Sequence, residues 1–505
     1  MSVEEITPKK VEAVTTRKLE MRRLASEATR SSNFYKPTLV HPEFLLGVVA
    51  DTGSFPDYLL GGDRLLQEQL ISENIETVVG MLPDIVASNH RLRSMGYMHT
   101  ENPSDIKRSD EGLAAAARQY ANVIQHTYPD GNGGTRYPLK QKNPGAIVDD
   151  VKKGNLDIYT VNDADGETVA VFGTVRRVDI LGKKGYAIEL GRTGTRADEA
   201  EKMNGAPLRG VSKLRLYHLL TDPRQIADPE TGQPATFIYS DIRLAQKWND
   251  DFPGGAGVQS VFFGGRSRGE NLGFGIATVG WRYNLERTEP FAFIFRPTFP
   301  ETYRKELEQK TLYIPDEGDA RRIQTLMKNT FGTTPKITHN GSMDHVQPVN
   351  PDQIEVVLGY DAKGAGASDI FAKVDIVDTD SEMHRKLAGM VKTVSLSEAL
   401  GQVREGRAPF VEVYVDATLG DGVNAERITG IVKTLKELGF VCNGWVPSSR
   451  DGGNSILISF AKLGAGSNDP VPPDLPEKYY SNGLEDMRNE ALQIFQDLAD
   501  AGPLD

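Results

Sequence analysis

Apolar and polar positions alternate in two different rhythms along this chain, and the change of rhythm divides it. Over residues 1–110 the spacing is helical. "KKVEAVTTRKLEMRRLASEATR" reads as a charged helix or arm, and "GDRLLQEQLISENIETVVGMLPDIVASNHRLRSMGY" repeats its apolar residues at helical intervals, with an interruption expected at Pro83. "GLAAAARQYANVIQ" is a further helix, rich in strong helix formers. The period then shortens towards two. "LDIYTV", "TVAVFGTVRRVDI" and "GYAIEL" read as three strands of an antiparallel meander, the first two joined by the turn-forming "NDADGE". A helix ending in "LRLYHLL" and a strand "ATFIYSDIR" follow.

After Pro297 and Pro300 the pattern opens a second unit. "QIEVVLGYD", "DIFAKVDIVD" and "PFVEVYVDA" are strand-like by composition. The clearest helix is "NAERITGIVKTLKELG": Ile428, Ile431, Val432, Leu435 and Leu438 form one apolar stripe, Asn424 is placed to cap its start, and Gly439 to end it. "SILISFAKL" closes the unit as a strand. A Pro-rich linker and a terminal amphipathic helix, "GLEDMRNEALQIFQDLADAG", complete the chain.

One phrase occurs twice. "LGFGIATVGWRY" begins at Leu272 and "LGFVCNGWVP" at Leu438, and both put Leu-Gly-Phe a few residues ahead of Gly-Trp. Each follows a helical segment and leads into a strand. Two copies in comparable contexts imply two related lobes.

Composition narrows the class. With 505 residues the chain is too long for one ordinary core. At 39% hydrophobic and 25% charged it reads as a soluble globular protein, with no apolar run of the length a membrane helix needs and no visible secretory segment at its start. A single cysteine, Cys442, fits a reducing, cytoplasmic setting and reads as a small apolar strand residue. The net charge of −12 disfavours a general nucleic-acid binder. There is no Gly-x-Ser-x-Gly elbow and no phosphate-binding Walker loop. The two histidines of "HNGSMDH" (His339 to His345) read as a polar loop rather than as metal ligands.

The order of the phrases resembles the GNAT superfamily of acyl-CoA N-acyltransferases, and residues 111–300 look most like its β-lysine N-acetyltransferase type. "NPGAIVDDVKKGNLDIYTVNDADGETVAVFGT" resembles the entry helix and first hairpin, "GYAIELGRTGT" the central strand, "NGAPLRGVSKLRLYHLL" the pyrophosphate loop and its helix. "ATFIYSDIRLA" and "ENLGFGIATVGW" resemble the closing elements. Residues 301–465 resemble a degenerate second lobe. The family's pyrophosphate loop is Arg/Gln-x-x-Gly-x-Gly/Ala; here "LRGVSKL" fits it loosely, through Arg209, Gly210 and Ser212.

That resemblance implies an α/β (α+β) protein of tandem GNAT-like lobes with mixed, mainly antiparallel sheets. It implies a helical extension over 1–110, an acyltransferase lobe over 111–300, the degenerate lobe over 301–465, and a linker and helix over 466–505. It implies acetyl-CoA or another acyl-CoA as co-substrate, without a metal, and a small amine or amino acid as acceptor. A pyrophosphate needs clustered N–H donors at a helix start, which assigns Arg209, Gly210, Val211, Ser212 and Lys213 to the cofactor. Acyl transfer needs a base, an oxyanion donor and an acid. Glu189 is the candidate base, the Gly191 backbone N–H the oxyanion donor, and Tyr239 and Tyr283 the candidate acids for the leaving sulfur. Asp241 and Arg243 line the acceptor side. Two other readings stay open. One is a transferase drawing on a carrier protein or an aminoacyl-tRNA, though the acidic balance weighs against tRNA. The other is a binding or scaffold protein built on a GNAT fold. The sequence leaves oligomeric state open and gives no sign of a membrane partner.

Overall fold

In the computed structural model, residues 64–94, 98–100, 110–125, 144–177 except 164 and 166, 185–196, 208–244 except 229, 247–249, 252–253, 259, 262–263, 272–284, 287–339, 343–358, 374–375, 392–405, 410–418, 425–448, 455–464, 470, 472–480 and 483–504 are described. Asn424 and most of "DIFAKVDIVD" lie outside them. The chain divides into two compact units, one of residues 1–175 with 190–234, the other of residues 176–189 with 235–505.

The first unit holds helices α1 (Arg64–Ser94), α2 (Asp110–Gln125), α3 (Pro144–Lys152), α4 (Leu208–Thr221) and α5 (Pro223–Ile226), with strands β1 (Met98–Thr100), β2 (Leu156–Asn162) and most of β3 (Thr168–Arg177). Helix α1 is continuous across Pro83, where an interruption was expected. Proline's fixed φ suits a helix, so the helix continues at the cost of one backbone bond. Leu113, Ala117, Tyr120 and Ile124 recur at intervals of three and four along α2 and pack with Ile147 and Val151 of α3, Leu156 and Ile158 of β2 and Val171 of β3. The expected turn between β2 and β3 is built by Asp163, whose Oδ1 accepts from the backbone of Asp165 and Glu167 at 3.0 and 2.9 Å. Buried in α4, Arg215 donates to Thr174 Oγ1 and Gln225 Oε1, each at 2.9 Å, with the Asp157 carboxylate 4.0 Å away.

The second unit is organised by a sheet containing the start of β4 (Ala187–Thr195), β5 (Phe237–Arg243), β8 (Gly275–Asn284), β9 (Arg287–Pro297), β13 (Val374–Asp375), β15 (Phe410–Asp416), β16 (Val441–Ser448) and β17 (Ser455–Leu463). Their order is β4-β5-β9-β8-β16-β17-β15-β13, which has the same plan from either end. The outer pairs, β4 with β5 and β13 with β15, are parallel. The pairs between them, including the central β8 with β16, are antiparallel. Short pairs lie elsewhere: β6 (Lys247–Asn249) with β7 (Phe252–Pro253), β10 (Thr311–Tyr313) with β11 (Lys336–Thr338), and β12 (Glu355–Leu358) with β14 (Lys392–Ser395). Helices α6 (Pro300–Glu308), α7 (Glu317–Phe331), α8 (Leu396–Glu405), α9 (Ala425–Glu437) and α10 (Glu485–Asp500) belong to this unit. The segment before β15 supplies strand β14 and then α8.

The repeated phrase proves half equivalent. Gly273 and Gly439 adopt φ of 78° and 79°, a left-handed conformation that glycine reaches without a Cβ clash. In the first copy Arg296 Nε donates to the Leu272 carbonyl at 2.6 Å; in the second Lys462 Nζ donates to the Leu438 carbonyl at 2.7 Å. Each cation comes from the last strand of its half and crosses the glycine where a side chain would obstruct it. Each phrase then bulges, between Ile276 and Thr278 and between Cys442 and Gly444, and the residues after the bulges, Thr278 and Gly444, pair with each other. The Gly-Trp halves do not correspond. Trp445 directly follows Gly444 and packs on Phe331, whereas Trp281 lies three places beyond Thr278 and packs on Phe495.

Three helices are tied to this sheet or to each other by charge. Arg322 of α7 reaches the Cys442 carbonyl at 2.8 Å and the carboxylates of Glu490 and Asp497 on α10 at 2.7 and 2.6 Å. Lys436 of α9 lies 2.9 Å from both Asp316 and Asp319, at the start of α7. The two carboxyls respond oppositely. Burial works against the Asp316 charge, yet the Asp319 backbone N–H and the Lys436 ammonium together hold its pKa below the usual value. At Asp319 burial dominates and raises the pKa despite Lys436. Asp316 therefore stabilises the fold above its unfolded pKa, and that contribution is lost as pH falls through the folded one. Asp319 has the reverse sign: its contribution is present at low pH and lost as pH rises through its elevated folded value. Asp316→Ala, which also removes the N-cap of α7, should cost about 1–2 kcal/mol at pH 7 and progressively less in acid. Asp319→Asn should cost least, or stabilise, at pH 7 and lose that advantage in acid. Urea unfolding at pH 7 and in acid separates the two signs.

Candidate active site

The sequence candidates divide between the two units and are described there. In the second unit, β4 and β5 pair over Ala187↔Phe237, Ile188↔Ile238 and Glu189↔Tyr239. Glu189, expected at the end of its strand, instead ends this described ladder while β4 runs on to Thr195. Residues paired across neighbouring strands point to the same face, so Glu189 and Tyr239 are side by side. Both are buried, Glu189 at 6% exposure and Tyr239 at 3%. The Tyr239 ring stacks on Phe295 with centroids 5.5 Å apart, which fixes its orientation. Asp241 follows on the same face of β5, half-buried, opposite Phe293. Arg243 places Nη1 3.4 Å from the buried carboxylate of Glu289 on β9.

Tyr283 lies elsewhere. The row containing Tyr239 crosses β9 at Phe295 and β8 at Gly275, and Tyr283 is further along β8, opposite Thr288. At the rise of a strand this is on the order of 25 Å from the row. The fold thus brings Glu189, Tyr239 and Asp241 together and leaves Tyr283 apart from them.

In the first unit, Gly191 continues β4 and is half-buried. Arg209, Gly210, Val211 and Ser212, expected as a loop before a helix, already belong to α4, which begins at Leu208. Lys213 is the next residue of that helix and is half-buried. A helix start leaves its first N–H groups without helical acceptors, so Leu208–Val211 supply donors suited to an anion. Lys213, one turn into the helix, adds a positive charge near that end.

Cys442 is buried, and burial first, then the Asp319 carboxylate, pushes its thiol well above the ordinary range, against a nucleophilic role. Among the described residues no group of three or more His, Cys, Asp or Glu side chains is placed to hold a metal ion. None of the described helices is long and apolar enough to cross a membrane.

Part of this chain is similar to GNAT acetyltransferases. A probable GNAT-family acetyltransferase from Chromobacterium violaceum matches over 40% of this chain and 88% of its own, at 11% identity and a TM-score of 0.22. A phosphinothricin acetyltransferase from Sinorhizobium meliloti, solved with AcCoA, matches over 40% and 89%, at 13% identity and a TM-score of 0.26. Spermidine N-acetyltransferase from Vibrio cholerae, solved with CoA and spermine, matches over 40% and 96%, at 7% identity and a TM-score of 0.23. No family model matches the sequence, and no curated protein matches it.

Sequence reasoning passed over a second polar group in the second unit. Glu412 of β15 is buried, and its carboxylate accepts from Tyr414 OH at 2.8 Å and from Asn443 Nδ2 at 3.0 Å. A glutamate inside the otherwise apolar run of "PFVEVYVDA" was the available signal.

Proposed function

We propose that this protein is an N-acyltransferase that moves an acyl group from acyl-CoA, or from the pantetheine arm of a carrier, to a small amine. The observation that carries the reading is the parallel β4–β5 ladder, joined in sequence through α4 and ending at the buried pair Glu189 and Tyr239. Ligands of α/β sheets bind beyond the carboxyl ends of such strands. The phrase order that resembles the superfamily supports the same assignment. We propose the same lobe organisation as the sequence implies, with chemistry in residues 111–300 and a second lobe over 301–465 that lacks a pyrophosphate cradle.

Glu189 takes a proton from the acceptor ammonium, directly or through water, and the freed amine attacks the thioester carbon. The Gly191 N–H donates to the oxyanion that forms. Collapse of that intermediate breaks the carbon–sulfur bond; the departing thiolate takes the Tyr239 proton, the second proton of the attacking nitrogen passes to the tyrosinate so formed, and the neutral amide is left. Asp241 and Arg243 orient the acceptor. Arg209 to Lys213 hold the donor pyrophosphate through helix N–H groups and charge.

Calorimetric titration of the full chain with CoA tests the donor half of this reading. One binding event per chain is expected, and Arg209→Ala should weaken it by about 1.5–3 kcal/mol, the range for a hydrogen bond to a charged group. No heat with CoA, acetyl-CoA or a pantetheinylated carrier rejects the assignment.

A further inference from the structure

The two halves of the second unit's sheet can be superposed strand by strand through their shared features. Arg296 and Lys462 play one role and face Ile238 and Val411, so β5 and β15 align with Phe237 on Phe410, Tyr239 on Glu412 and Asp241 on Tyr414. The first half therefore carries tyrosine then carboxylate on one face of its strand, and the second carries carboxylate then tyrosine. The second pair is hydrogen-bonded to itself and to Asn443, the residue at the β16 bulge.

The row beside it is polar as well. Tyr414 pairs with Ser459, Ser459 with Gly444, and Gly444 with Thr278, so these residues share a level of the sheet and Gly444 adds no side chain to it. Thr278, Asn443 and Ser459 are each 0% exposed. Among the described residues, Thr278 Oγ1, Asn443 Oδ1 and Ser459 Oγ have no hydrogen-bond partner, although Asn443 donates from its nitrogen to Glu412 and to the Val279 carbonyl at 2.8 Å. Leaving such groups unsatisfied in a protein interior is costly, and three in neighbouring positions mark a place for a guest. The available atoms suit a donor: an amide oxygen and two hydroxyls that accept, next to a carboxylate. A buried carboxylate favours a cationic guest over a neutral one, and the full burial of Thr278, Asn443 and Ser459 favours a small one.

We infer that Glu412, Asn443 and Ser459 form a binding site for a small protonated primary amine, separate from the β4–β5 end. This inference does not require acyl transfer to occur anywhere in the chain. Methylammonium and tetramethylammonium distinguish it, because the second ion has the charge and no N–H. The full-length protein is incubated with each chloride salt at matched ionic strength, long enough for a buried site to fill, and its unfolding midpoint is followed. A saturable rise with methylammonium and none with tetramethylammonium is expected. Glu412→Gln and Ser459→Ala should each weaken the apparent affinity at least tenfold; the serine variant removes one oxygen and guards against a folding defect in the glutamate variant. Equal responses to the two ions, an undiminished methylammonium response in Ser459→Ala, or high-resolution density for a lone water in methylammonium-soaked crystals overturns the inference.

Discussion

Gly444→Ala should destabilise the protein by about 3 kcal/mol or more, the largest loss expected from any single methyl group in the sheet. Gly444 has φ of 144°, outside the usual range of L-residues. A Cβ there would collide with the Ala277 carbonyl oxygen and stand 2.8 Å from Thr278 Cα, both backbone of the neighbouring strand β8. Side chains can turn aside, but paired backbones cannot do so without separating. Overpacking of this kind costs roughly 1–3 kcal/mol and an unfavourable backbone conformation a similar amount. Gly332→Ala is the control: it shares a positive φ of 72°, with open space where its Cβ would go. It should lose about 1 kcal/mol, from backbone strain alone. Urea unfolding of the two variants compares them directly, and equal losses would show that close approach of β8 and β16 does not constrain residue 444.

Glu189→Gln should lower turnover by roughly 10²–10⁴. Gln keeps the shape and hydrogen-bonding capacity of the side chain and removes its ability to accept a proton. Donor binding, measured with CoA, should be unchanged, because that role is assigned to the start of α4. A variant that retains turnover would leave Glu189 as a structural carboxylate beside Tyr239.

Long periodic segments could be read from the sequence because local chemistry decides them. Gly439 ends its helix as expected, with the left-handed φ that glycine favours. The turn at Asp163 follows from side-chain bonds to its own backbone. Pro83 misled the reading, since a helix can continue past a proline when the rest of it is favourable. Arg209 to Ser212 were read as loop because glycine and serine suggest one, and they lie in α4. The candidate site was legible only in part. Glu189 could be placed on its strand from local pattern, but its pairing with Tyr239, and the separation of Tyr283, depend on register between distant segments. The Gly-Trp repeat shows the same limit. Identical dipeptides occupy different places because the sheet aligns Gly444 with Thr278, a fact that no local spacing contains.

The centre of the sheet also has a history in time. Asn443 and Val279, which bond across it, are 164 residues apart in the chain. At roughly 5–20 residues per second of synthesis, strand β8 waits on the order of ten to thirty seconds before β16 exists to cover it. For that interval β8 is an open edge with unpaired backbone groups, ready to pair with the same strand of a neighbouring nascent chain. Slowing synthesis between residues 285 and 440 should therefore lower the soluble yield, while the thermodynamic stability of the molecules that do mature stays the same.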